Sequence, residues 1–181
     1  MNILKTLIVL TGVAPYVLLS VSILKGTVKQ SFATWILWFG LDVIMLVSLT
    51  LKGGNTLLFA VFTIGTLAVT IFLARARQFH WGKFEWLITF LVLICTTVFL
   101  VGGPYLSIIS VTLALNIAGI PQLISTYKDP SSTPRIAYLL FTTSSMLSVI
   151  SAAAWTVEER LPYLSSTLFC AIIVLLSFRQ K

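Results

Sequence analysis

Charge is what this chain has least of. Only 9% of its 181 residues are Asp, Glu, Lys or Arg, against roughly 25% in a soluble domain, too little to cover a water-facing surface. Histidine occurs once, at His80, with no second His, Cys or carboxylate at ligand spacing. A metal site is therefore not expected, and His80 reads as an interfacial residue. Cys95 and Cys170 are the two cysteines and lie in separate apolar runs, so they read as packed thiols rather than a disulfide. There is no HExxH, no paired carboxylate within an apolar run and no Ser/His/Asp set. Neither an enzyme nor a cofactor is expected on those grounds. Glu158 and Glu159 are adjacent ahead of Pro162 and read as solvated loop charges. Period-two alternation with regular turns is missing as well, which argues against a membrane β-barrel.

What is abundant is apolar: 58% of residues, with a mean hydropathy of +1.04. Seven apolar runs are legible, at about 3–24, 32–51, 55–74, 84–102, 104–126, 136–155 and 161–178. Each is close to the roughly 20 residues a helix needs to cross a hydrocarbon core. The first has only Lys5 as an early basic residue and no clear small-x-small cleavage site, so it reads as a helix rather than a secretory signal. The expectation is a polytopic all-α membrane protein in contact with lipid.

The net charge of +7 follows this pattern. With the N-terminus outside, the inner segments hold Lys25, Lys29, Arg75, Arg77, Lys83, Lys128, Arg135, Arg179 and Lys181, and the outer side only Lys5, Lys52 and Arg160. That bias predicts N-terminus out and C-terminus in, with some attraction to anionic headgroups. No ordered basic surface large enough to grip phosphates is visible, so nucleic acid is not an expected partner.

Segments 3–75 and 107–179 share one order: apolar run, proline, basic and polar loop, second run, short loop, third run. An offset of 103 residues brings Lys25 onto Lys128, Trp35 onto Tyr138 and Trp38 onto Phe141. Pro15 and Pro121 differ by 106, so the alignment takes a three-residue gap. The extra run 84–102 makes the halves parallel repeats, entering the membrane in the same direction.

Pro121-Gln122 followed by Lys128, the equivalent Pro15-Tyr16, and the segments KGTVKQSFATWILW and FEWLITFLVL resemble the PQ-loop and SWEET superfamily, in particular a bacterial seven-helix branch. The first copy departs from the motif at Tyr16. The resemblance implies seven transmembrane helices as 3+1+3: a three-helix repeat over 1–77, a linker helix over 78–103 and a second repeat over 104–181, all in one domain. It implies a transporter of a small polar solute, such as a sugar, amino acid or vitamin, that works by alternating access in a bacterial cytoplasmic membrane. It implies hinges at Pro15 and Pro121 with Gln122 at the inner gate, and proline does delete a backbone bond and bend a helix. A monomer suffices for a duplicated chain, and a homo-oligomer stays open.

Asp42 is the lone acid well inside a run, and an intramembrane charge is expected to face the bundle interior or water. Trp38 and Trp35 lie four and seven residues before it, on one helical face. Their counterparts are Tyr138, Phe141 and Ser145. Two aromatic walls with an acid on one and a hydroxyl on the other form a candidate solute pocket. Trp35 serves equally as an interfacial belt residue, the reading given to Trp81, Trp86 and Trp155. Asp42 offers a route for coupled protons or selection of cationic and zwitterionic solutes; as interhelical glue it would do neither. Asn116, one turn after Thr112, faces either solute or another helix. Thr63, Thr66 and Thr70 form a stripe at helical spacing that packing alone explains. The alternative to a transporter is a receptor or assembly factor like the KDEL-receptor group, binding a ligand without moving it.

Overall fold

The computed structural model describes residues 3–26, 31–77 and 81–179, with the backbone alone at Ser132; Lys29, His80 and Lys181 lie outside the described residues. Every regular element described is helical. The described residues form six α-helices: α1 (Ile3–Leu24), α2 (Phe32–Lys52), α3 (Leu57–Arg75), α4 (Lys83–Lys128), α5 (Arg135–Ser151) and α6 (Val157–Ser177). Five of them are long and apolar enough to cross a membrane, and α5 is a shorter apolar helix of 17 residues. Large apolar side chains such as Leu10, Leu51, Ile64, Leu100 and Leu175 are exposed around the bundle. A water-soluble monomer rarely exposes so many, so the chain has the make-up of an integral membrane protein.

Local signals set several boundaries. Ser31 caps α2, its hydroxyl accepting from the Thr34 N–H at 3.3 Å. Gly53 ends α2 in the left-handed region, with φ 69°, and the Gly54 N–H returns to the Leu49 carbonyl at 2.9 Å. At the start of α4 the Glu85 carboxylate accepts the Gly82 N–H at 2.9 Å, satisfying one of the donors a helix start leaves open. Between α4 and α5, Asp129 accepts the Ser131 N–H at 3.2 Å, turning the chain through Pro130.

The expected seven helices are six here. The runs 84–102 and 104–126 join in α4, a helix of 46 residues. No polar loop separates them: the junction is Val101-Gly102-Gly103-Pro104, where proline needs no N–H partner and so begins a helical segment directly. Gly103 alone leaves helical geometry, at φ 77° and ψ 179°, so α4 is two helical segments meeting at a sharp kink. A straight helix of that length would run about 69 Å, more than twice a hydrocarbon core of about 30 Å. Two other bounds move as well. The expected run 136–155 ends at Ser151, and the last helix begins at Val157 rather than 161. Arg160 explains the break between them: its guanidinium donates to the carbonyls of Val149, Ala152 and Ala154, holding the connection out of helical form.

Contacts between side chains define two ends. At one, here the Gly53 end, Ser48 donates to Ser107 at 2.9 Å, Gly54 abuts Glu158, and Asn55 donates to Ser151 at 3.1 Å. At the other, the Gly26 end, Ser31 and Thr34 donate to Glu85, Arg179 donates to the Tyr127 carbonyl, and Leu19 and Ser22 share a groove with Thr133 and Pro134. Thus Glu85 and Tyr127, near the two ends of α4, both lie at the Gly26 end, and Ser107, just past the kink, lies at the opposite one. Packing is also patterned: α3 contacts α1 and α2, α6 contacts α4 and α5, and the two groups meet where α1 packs on α5 and α2 on α4.

Candidate functional site

A cavity lies where these two groups meet. Its volume is about 160 Å3, measured as the space open to the centre of a water molecule. One water needs roughly 10–15 Å3 on that measure, so the space suits a small solute rather than a single ordered water.

The walls are aromatic. Tyr16 from α1, Trp35 and Trp38 from α2, Phe59 and Phe62 from α3, Tyr138 and Phe141 from α5, and Phe169 from α6 all line it. Their rings meet edge to face: Tyr16 and Phe141 at 5.1 Å, Trp35 and Trp38 at 5.3 Å, Phe62 and Phe141 at 5.8 Å. Such pairs contribute about 0.5–1.5 kcal/mol beyond their buried area. Tyr16 is seated by Gly65 on α3, whose missing side chain leaves room for the ring. The second group repeats the device with the partners exchanged, since Phe169 on α6 is seated against Gly119 on α4.

Polar groups interrupt these walls. Asp42 is buried, 4% exposed, and one of its carboxyl oxygens lies 3.1 Å from the Thr66 hydroxyl on α3. That hydroxyl has one proton and also reaches the Phe62 carbonyl at 2.9 Å, so the two acceptors compete for it. Asn116 uses its side-chain NH2 twice, donating to the Thr112 carbonyl and to the Ser165 hydroxyl, each at 2.6 Å. Gln122 donates to Thr126 at 3.2 Å, and Thr133 donates to the same Thr126 at 2.8 Å, tying the end of α4 to the turn that follows it. Trp38 carries the exception: its indole N–H is buried with no hydrogen-bond partner among the described residues.

Of the residues proposed from the sequence, Trp35, Trp38, Asp42, Asn116, Tyr138, Phe141 and Gln122 all line this one cavity. Ser145 does not. It is fully buried behind the wall and donates to Ser166, which does line it, at 3.0 Å. Pro15 and Pro121 lie within α1 and α4 and are not lining residues; the residue after each of them, Tyr16 and Gln122, is. Thr66, read as one of a packing stripe, and Cys170, read as a packed thiol, both reach the cavity. Tyr16, Phe62, Ser165 and Phe169 were not anticipated. Tyr16 had a signal, its position after the first of two equivalent prolines; the others had none.

A layer of side chains at the Gly53 end adjoins the cavity residue Phe59. Tyr163, fully buried, packs against Phe59 at 5.4 Å and donates its hydroxyl to the Asn55 carbonyl. Asn55 in turn donates to Ser151 at the end of α5. This layer joins the α2–α3 connection of one group to α5 and α6 of the other.

No protein-family model, curated protein or solved structure matches this chain.

Proposed function

We propose that the chain is a membrane transporter that moves a small polar solute by alternating access through this cavity. The observation that carries the reading is the placement of Tyr16 and Gln122. Each follows a proline at an equivalent position of the internal repeat, each comes from a different helix group, and both border the same space. A binding site shared between two similar halves is what a rocking mechanism requires.

In this reading α4 is two spans reversing at Gly103, so the architecture is 3+1+3, as in the PQ-loop and SWEET superfamily. Support comes from the common location of Glu85 and Tyr127 at one end, and from the matched packing of α3 on α1 and α2 and of α6 on α4 and α5. The segment 83–102 is then the linker, held to α2 by Glu85. Pro15 and Pro121 act as hinges, and the Asn55–Tyr163–Ser151 layer is the closed gate. The charge distribution supports the Gly26 end facing the cytoplasm of a bacterial inner membrane, with the N-terminus outside. Protons coupled through Asp42 belong to the same proposal.

The test is flux. The purified protein in liposomes should take up a solute that raises its melting temperature, with saturable kinetics and loss of uptake in Asp42→Asn. A ligand that binds tightly with no saturable flux would instead favour the receptor reading.

A further inference from the structure

We propose that the solute is a small organic monocation, a protonated amine that also carries an uncharged hydrogen-bond acceptor and no carboxylate. The proposal rests on the cavity being a solute site and concerns what enters it.

Three features point to this class. First, charge: Asp42 lines the cavity, and among the described residues no Lys, Arg or His does. An acid is costly in such surroundings without a counter-charge, and an ammonium supplies one. A carboxylate on the solute would meet Asp42 with no base to receive it, so anions and zwitterionic amino acids are poorly matched. Second, the walls: Trp35, Trp38 and Phe141 line the cavity, and a cation lying over the face of such a ring is attracted by it. Asn116 has spent both amide protons inside the protein, so it can offer a solute only its carbonyl oxygen, an acceptor for a second ammonium proton. Third, the Trp38 indole N–H is a buried donor without a partner among the described residues. Such groups are uncommon in folded proteins, and a small turn of the indole toward the cavity it lines would let a hydroxyl or carbonyl oxygen on the solute satisfy it.

The experiment follows thermal unfolding of the purified full chain with two series of similar shape and different charge: ethanolamine, ethylene glycol and glycolate; tyramine, tyrosol and tyrosine. In at least one series the amine should bind about tenfold or more tighter than the neutral alcohol, as expected for a hydrogen bond to a charged group, and glycolate or tyrosine should bind more weakly still. Asp42→Asn should erase that preference. Ethanolamine should bind more tightly than propylamine, which has a methyl in place of the hydroxyl, and Trp38→Phe should remove that difference. An alcohol that binds as tightly as its amine in every series that binds overturns the proposal, as does the absence of any amine binding in both series, or amine binding in Asp42→Asn equal to the parent. Should Asp42→Asn fail to fold, the charge series on the parent and the Trp38→Phe comparison decide. Uptake of the same compounds into liposomes separates the two claims. Amine binding without saturable amine flux removes the transport reading and leaves the ligand class standing. Flux of tyrosol or ethylene glycol without amine flux does the reverse.

Discussion

The ring of Tyr16 lies over Gly65 so closely that no β-carbon fits between them. One residue comes from α1 and the other from α3, and Tyr16 also meets Trp35, Phe62 and Phe141, so the glycine sets the position of a ring central to the cavity wall. Gly65→Ala should therefore displace Tyr16 from its root, because the obstructing atoms include the ring carbon nearest the backbone. Overpacking of this kind costs about 1–3 kcal/mol. Gly119→Ala on the other side meets only the far edge of Phe169, which can move more easily. The melting temperature should fall in both, and further in Gly65→Ala.

Glu85 offers a second test. Its carboxylate receives Ser31 at 3.0 Å, Thr34 at 3.2 Å and the Gly82 N–H at 2.9 Å, so one side chain holds the starts of α2 and α4 together. Glu85→Ala should lower stability by about 1–3 kcal/mol, the range for charged hydrogen bonds lost in part to water. Ligand affinity should stay unchanged, since Glu85 is not a cavity residue. Denaturant unfolding and a binding isotherm measure the two separately.

Tyr163→Phe keeps the ring against Phe59 and removes only the hydroxyl donated to Asn55. Stability should fall by about 1 kcal/mol, a typical net value for one hydrogen bond. If this layer is a gate, the population open at the Gly53 end should rise, read as faster modification of a cysteine placed at Phe59.

The two prolines are tested by restoring what they remove. Pro15→Ala and Pro121→Ala each return a backbone donor to a helix interior, so stability should hold or rise. Solute uptake should drop several-fold in each, with binding retained. Uptake equal to the parent in both variants would assign the prolines to packing alone.

Helical periodicity made much of this site readable in advance, for a specific reason. Trp35, Trp38 and Asp42 are spaced by three and four residues, and α2 is regular through that stretch, so spacing alone places them on one face. The same logic overshot at Ser145, because periodicity gives a face and not a depth: Ser166 stands between it and the space. Glu85 and Tyr163 were out of reach. Their partners Ser31 and Asn55 are 54 and 108 residues away in the chain, and no local pattern encodes such a pairing. The break between runs 84–102 and 104–126 falls where Gly103 leaves helical geometry; the helix count is six rather than seven because no loop separates the two segments, and hydropathy does not show whether a break carries a loop.

Alternating access itself can be tested directly, because Cys170 borders the cavity and Cys95, the other cysteine, does not. In a Cys95→Ala background, oriented in liposomes, a membrane-impermeant thiol reagent would be applied from each side in turn. The account predicts modification of Cys170 from both sides, at different rates, and slowing of both by a bound solute. Modification from one side only, with or without ligand, would contradict it and leave a binding protein that does not transport.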